Sequence, residues 1–269
     1  MDEPNSVILP SGTVVGITYP ELIIDTGRLE IGVEGGSVYD VVRELGFYDK
    51  ILDRKNPFRN DKSKRFLDQG LLSELSLQEF EKLLGELNAF VLPPKIFADF
   101  LRMIHASFEN GANLYRGDGT KIGTEEVGKI WRNIFSNQNQ CEFLDGKIRA
   151  EENELYFRSH VLSVDGLEEF EEPFYGLRKS VTRIHLLDWL DHANSQGTLP
   201  DNWDDLNQSQ KTTIDSRVED YYQLSYWSPS DTGLESTVIF SSDMGKPNLR
   251  CNFGSRNEYT GVRVARVRK

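Results

Sequence analysis

Four short runs dominate the end of the chain: Ser225-Tyr226-Trp227-Ser228-Pro229-Ser230-Asp231, Ser236-Thr237-Val238-Ile239-Phe240-Ser241, Asn248-Leu249-Arg250-Cys251-Asn252-Phe253 and Gly261-Val262-Arg263-Val264-Ala265-Arg266. They are rich in β-branched and aromatic residues and are separated by Gly, Ser, Pro and Asp, the pattern of strands joined by turns. In the third run Leu249, Cys251 and Phe253 share one face, and Asn248, Arg250 and Asn252 the other. Alternation of this kind predicts a core face and an exposed face.

Upstream, Tyr221 to Trp227 also reads as a strand, preceded by an acid-rich loop around Trp203 with Asp201, Asp204 and Asp205. Arg183 to Ala193 has Ile184, Leu187, Trp189 and Leu190 at helical spacing and predicts an amphipathic helix. Glu154 to Val164 alternates as a strand, and Asp145-Gly146 carries a hairpin signal. Thr124-Glu125-Glu126 opens a helix through Phe135. Gly117-Asp118-Gly119-Thr120 is a turn that lacks the acids of a calcium loop.

Pro93-Pro94 begins a helix over Lys95 to Ala106, with Ile96, Phe97, Phe100, Leu101 and Ile104 buried and His105 at its end. Ser76-Leu77-Gln78-Glu79 forms a capping box for a helix over Leu77 to Leu87. Asp53 to Lys64 is a polar loop. Ser37 to Leu45 is helical and is closed by Gly46, and Ser6 to Gly36 reads as short strands and a hairpin.

The chain has 269 residues, 38% hydrophobic and 28% charged. It is long enough to bury a core without disulfides or metals. This balance excludes a disordered chain and a membrane protein, and no run approaches the roughly 18 apolar residues of a spanning helix. A net charge of −12 argues against nucleic acid as a partner. The basic clusters, Arg54 to Arg65 and Arg263, Arg266, Arg268 and Lys269, read as solvated faces or ion-pair partners. Cys141 and Cys251 lie far apart with no metal-ligand spacing and read as free thiols. Met1 to Thr13 has neither the basic flank nor the apolar run of a secretory signal. Display at a cell surface would therefore require a leader or partner outside this sequence.

The order of the four runs resembles the end of bacterial and archaeal domains with the C-type lectin fold. In the Fibrobacter-type lipoprotein branch a YWSSS-like strand, a V-x-F-S strand and a final VRxVR strand follow one another. In the formylglycine-generating-enzyme branch the chain closes on an RCA-like strand and a GFRxAR-like end, to which Leu249-Arg250-Cys251-Asn252 and Gly261 to Arg266 are similar. The resemblance covers Tyr221 to Arg266 and extends to Arg178 to Leu186, which is similar to the helix start of the family. It does not include the first eighty or so residues.

The resemblance implies an α+β protein with a C-type lectin fold: two packing helices, near 95–106 and 183–193, on a small twisted antiparallel sheet. Residues 86–269 would form that domain, and residues 1–85 an N-terminal accessory region or an extension of the same core. It further implies a variable protein of a diversity-generating retroelement, with a variable region at about 225–266. Such elements substitute adenines, mostly in Asn codons. Trp227, Glu235, Met244, Lys246 and Glu258 cannot arise that way and belong to a framework, with Val238, Phe240, Val262 and Arg263. Thr232, Gly233, Leu234, Ser236, Arg250, Asn252, Gly254, Ser255, Arg256, Asn257 and Tyr259 can arise that way and form the expected ligand-binding set. Their mixture of Tyr, Arg, Ser, Gly and Asn is that of binding loops, although solvated turns share part of it. The expected partner is a protein or other macromolecular ligand.

Sharper chemistries fit poorly. Calcium-dependent sugar binding needs EPN or QPD followed by WND; Glu3-Pro4-Asn5 lies at the far end of the chain, and Trp203-Asp204 lacks the Asn. Copper oxidation of the formylglycine type needs paired cysteines in the closing segment, which holds Cys251 alone. His105, His160, His185 and His192 match no iron-ligand spacing, and no GxSxG, P-loop or GxGxxG motif follows a strand. The expectation is therefore a binding protein, with no catalysis, cofactor or metal. The alternatives are a relative of the formylglycine oxidases and an adhesion or interaction module with an invariant surface.

Overall fold

The computed structural model describes residues 5–14, 16–48, 72, 75–136, 140–151, 154–163, 165–173, 181–185, 223–227, 236–243, 246–252 and 260–269. Strands β1 (Ser6–Leu9) and β4 (Leu22–Asp25) pair antiparallel, and β2 (Gly12–Val14) and β3 (Ile17–Tyr19) form the hairpin between them. β4 also pairs with the last strand, β14 (Val264–Val267), which in turn pairs with β5 (Phe90–Val91). The result is a four-stranded sheet in the order β1-β4-β14-β5. Residues on both sides of position 85 therefore build one sheet, and the N-terminal strands hold the C-terminal one.

Four helices are described. α1 (Ser37–Glu44) ends at Gly46, whose φ of 70° is the left-handed conformation that glycine tolerates. α2 (Leu77–Glu86) opens with the expected capping box: Glu79 N donates to Ser76 Oγ (3.2 Å), and Ser76 N to Glu79 Oε2 (2.9 Å). α3 (Pro94–Asn110) starts on a proline and ends at a left-handed Gly111. It is longer than the expected 95–106, so His105 is not at its end. The His105 ring instead packs 5.1 Å from that of Trp131 on α4 (Thr124–Ser136).

The larger sheet has eight strands. Its path is β8 (Gly166–Pro173), β7 (Glu154–Ser163), β6 (Gln140–Glu151), β11 (Ser236–Asp243), β12 (Lys246–Asn252), β10 (Gln223–Trp227) and β9 (Val181–His185), with β13 (Thr260–Val262) beside β6. The sheet is mainly antiparallel, as expected, but larger than the small sheet expected and with two parallel pairings. β10 runs parallel to β12, and β13 parallel to β6. Among the described residues no helix is long and apolar enough to cross a membrane.

Both faces of the β6–β11 centre are covered. Val238 and Phe240 join a cluster with Phe97, Phe100, Trp131 and Phe135 from α3 and α4. Ile239 and Phe143 join a second cluster with Val38 and Val42 of α1 and Phe80, Leu83 and Leu84 of α2. Period-two alternation sends successive residues of β11 to opposite faces, and here each face meets a pair of helices.

Two further sequence expectations are corrected. Arg183 to His185, read as the start of a helix over Arg183 to Ala193, instead complete strand β9, in register with β10 from Val181↔Trp227 to His185↔Gln223. Val181, Thr182 and Ile184 are β-branched, and backbone pairing along the whole of β10 outweighs a helical spacing read from the sequence. Residues 186–193 lie outside the described residues. Asp145-Gly146, read as a hairpin turn, sits inside β6 as a bulge. Thr237 pairs with Lys147 but Ile239 with Phe143, so β6 carries extra residues there. Asp145 N turns away from β11 and donates to Leu92 O (2.9 Å). A Cβ on Gly146 would stand 2.8 Å from the Phe157 ring and 3.1 Å from Pro94, so glycine is required by close packing rather than by a turn.

Candidate binding surface

The ends of three strands meet at one edge of the larger sheet. Trp227, the last residue of β10, stands beside Arg250 of β12, which stands opposite Ile239 of β11. Asn252 stands opposite Thr237, and Ser236 opposite Ile148 of β6. Trp227, Ser236 and Asn252 therefore fall within a few residues of one another along the strand axis. From these points the chain enters residues 228–235 and 253–259.

Ser236, Arg250 and Asn252 thus share one end of the sheet. Thr232, Gly233, Leu234, Gly254, Ser255, Arg256, Asn257 and Tyr259 lie outside the described residues, as do Glu235, Met244 and Glu258. Leu249 and Cys251 stand opposite Phe240 and Val238, in register with the first cluster. Arg250 stands opposite Ile239, which is buried against the second cluster, so the face assigned to solvent is covered at its β11 neighbour.

The framework beneath is fixed by charge as well as by packing. Arg263, between β13 and β14, is 3% exposed and grips Glu142 of β6 through Nη2–Oε1 (2.6 Å) and Nε–Oε2 (3.1 Å). Its Nη1 donates to Asp25 O (3.0 Å), and the guanidinium lies 5.4 Å from the centre of the Phe100 ring. A bidentate pair with a backbone acceptor and an aromatic face satisfies a buried guanidinium well. Arg266 pairs with Asp25 (2.8 Å) and Arg268 with Glu21 (2.6 Å), so these tail arginines are ion-pair partners within the chain. The Asp25 carboxyl is nevertheless raised above its ordinary value, because burial outweighs the arginines beside it.

Reading the sequence missed Glu142, Asp145 and His160. His160 N donates to Asp145 Oδ2 (2.9 Å), and the ring Nδ1 lies 3.1 Å from the same oxygen. Glu169 Oε2 stands 3.4 Å from Nε2. The Asp145 hydrogen bond raises the imidazole above its ordinary value; burial opposes this, and Asp145, Glu169 and Glu81 add charge in its favour. A signal was present in Gln140-Cys141-Glu142-Phe143-Leu144, where an acid interrupts an apolar strand. Buried acids of that kind need a partner.

Among the described residues no group of His, Cys, Asp and Glu is arranged to hold a metal. Cys141 is half-buried and stands opposite Ser241, whereas position 251 stands opposite Val238. The two positions of β11 are an odd number of residues apart, so the cysteine positions belong to opposite faces.

Together these features define an α+β protein in which helices enclose the centre of a mixed sheet and several strand ends gather at one edge. Comparison with family models, curated proteins and solved structures finds no match.

Proposed function

We propose that this chain is a binding protein with a C-type lectin fold, a variable protein of a diversity-generating retroelement. Its strand ends and loops over residues 232–259 would recognise a protein or other macromolecular ligand. The observation that carries this reading is the gathering of Trp227, Ser236 and Asn252 at one end of the sheet, above a strand buried on both faces. Side chains beyond the buried stretch Thr237 to Ser241 can change while that core stays in place. The chain order supports the fold: β5 leads into α3 and α4, the sheet follows, and the last strand returns between β5 and β4.

Two experiments test the reading. Sequencing the gene's surroundings should find a reverse transcriptase and a near-copy of the codons for residues 225–266; finding neither removes the retroelement. A library randomised at the eleven positions from Thr232 to Tyr259 named above should yield folded members that bind a chosen protein with micromolar affinity or better, about −8 kcal/mol. If most members unfold, the surface is part of the core and the reading fails.

A further inference from the structure

A recess at the C-terminal turn of α1 uses none of the residues of that sheet end. Among the described residues Tyr39, Arg43, Gly46 and Tyr48 line a cleft of about 420 Å³. That is within the range of small-molecule sites, roughly 300–1,000 Å³. Its walls are anchored in the core. Val38 and Val42 on α1, and Phe47 beside Tyr48, are buried in the second cluster, and Phe47 N donates to Val42 O (2.9 Å). Tyr48 itself packs against that cluster. The two tyrosine rings stand 5.2 Å apart, edge to face at 71°. A Cβ at Gly46 would meet nothing within 4 Å, so the backbone there leaves the cleft open.

The polar groups of the cleft have capacity for a further partner. Arg43 follows Tyr39 by four residues and shares its face of α1. Its guanidinium lies 6.0 Å from the centre of the Tyr39 ring, the outer limit of cation–π attraction. Among the described residues its acidic partner is Glu34, 3.8 Å away and too far for a hydrogen bond, with side chains 58% and 79% exposed. An exposed pair of that kind contributes little and exchanges readily. Tyr39 OH donates to Tyr48 OH (3.1 Å). A phenol both accepts and donates, so Tyr48 keeps a proton to give.

We propose that this cleft binds a small aromatic carboxylate, with its ring against Tyr39 and Tyr48 and its carboxylate on the Arg43 guanidinium and the Tyr48 hydroxyl. A guanidinium fork meets a carboxylate with two parallel hydrogen bonds, which Glu34 at 3.8 Å does not make. The ligand carboxylate therefore takes the place of Glu34. The surrounding charge selects the class of ligand. The chain carries −12, Asp40 and Glu44 lie on the same helix as Arg43, and the C-terminal end of a helix is its negative end. In that field Arg43 balances a monoanion, whereas a phosphate dianion or a polyanion meets net repulsion.

The test titrates the full chain with 4-fluorobenzoate and follows the ligand by fluorine NMR. Binding should have a Kd of about 1 mM or tighter. Arg43→Gln should weaken it at least about tenfold and Tyr48→Phe about threefold, as hydrogen bonds to the carboxylate are lost. Glu34→Gln removes the competing acid and should tighten binding about twofold. Arg43 and Glu34 are exposed, so their variants keep the fold. 4-Fluorobenzamide, with the same ring and no charge, should bind at least about tenfold more weakly. No binding of 4-fluorobenzoate up to about 10 mM overturns the proposal, as does parent-like affinity in Arg43→Gln. Equal binding of the amide, or tighter binding of 4-fluorophenyl phosphate, overturns it as well.

Discussion

Arg263 and Glu142 pair between the sheets with side chains only 3% and 9% exposed, whereas Arg149, Arg158, Glu169 and Glu171 pair on the outer face of the β6–β7–β8 ladder at 32–53% exposure. The residue types are the same and the distances do not overlap: 2.6 and 3.1 Å inside, 3.2–3.7 Å outside. In the inner pair each charge has given up water and depends on its partner. In the outer ladder each charge keeps solvent as an alternative, so loss of one partner is cheaply replaced. The contrast shows where this fold is rigid by necessity. The inner pair joins β6 to the β13–β14 junction, below the sheet end proposed to vary.

The sharpest way to break the contrast is Glu142→Leu, which leaves Arg263 buried without its bidentate carboxylate partner. It should cost about 3–5 kcal/mol in chemical denaturation. Adding Arg263→Met should restore most of that loss, because an apolar pair avoids the cost of desolvation. A double variant as unstable as the single one would show that the pair positions the strands in a way packing cannot replace.

His160, half-buried on the same outer face, sits between the extremes. Its folded value lies above the ordinary 6.5, so protonation and folding favour one another. The stabilisation is complete below about 6.5 and is lost as pH rises through the higher folded value. His160→Gln should cost on the order of 1 kcal/mol at about pH 5.5 and much less at about pH 8.5. An effect that does not change with pH would assign His160 a packing role only.

Glu171→Gln probes the exposed extreme, where Glu171 meets both Arg149 (3.2 Å) and Arg158 (3.3 Å). The expected cost is at most about 0.5 kcal/mol, falling further with added salt. A larger loss, insensitive to salt, would place the ladder with the buried pair.

Legibility followed the range of the interactions. The Ser76–Glu79 box spans one helical turn, and the sequence reading placed it correctly. Val238 and Phe240 were recognisable as core because alternation is local, and both are buried. Arg263 was recognisable as framework, but its partner Glu142 is 121 residues away, beyond any local pattern. The candidate site was legible as composition: Gly, Ser, Asn, Arg and Tyr between strand signals. The common end shared by Ser236, Arg250 and Asn252 became visible only through strand register.

From the sequence alone followed the α+β class, the existence of most helices and strands, and two alternatives for the tail arginines, solvated faces or ion pairs, of which the structure shows the ion pairs. These depend on propensity, periodicity and charge, which neighbouring residues carry with them. Tertiary structure decided that Asp145-Gly146 is a bulge and not a turn, that Val181 to His185 is a strand, and that β11 is buried on both faces. The physical reason is common to all three. Each depends on a partner distant in the chain, and burial against that partner outweighs a local preference worth a fraction of the energy.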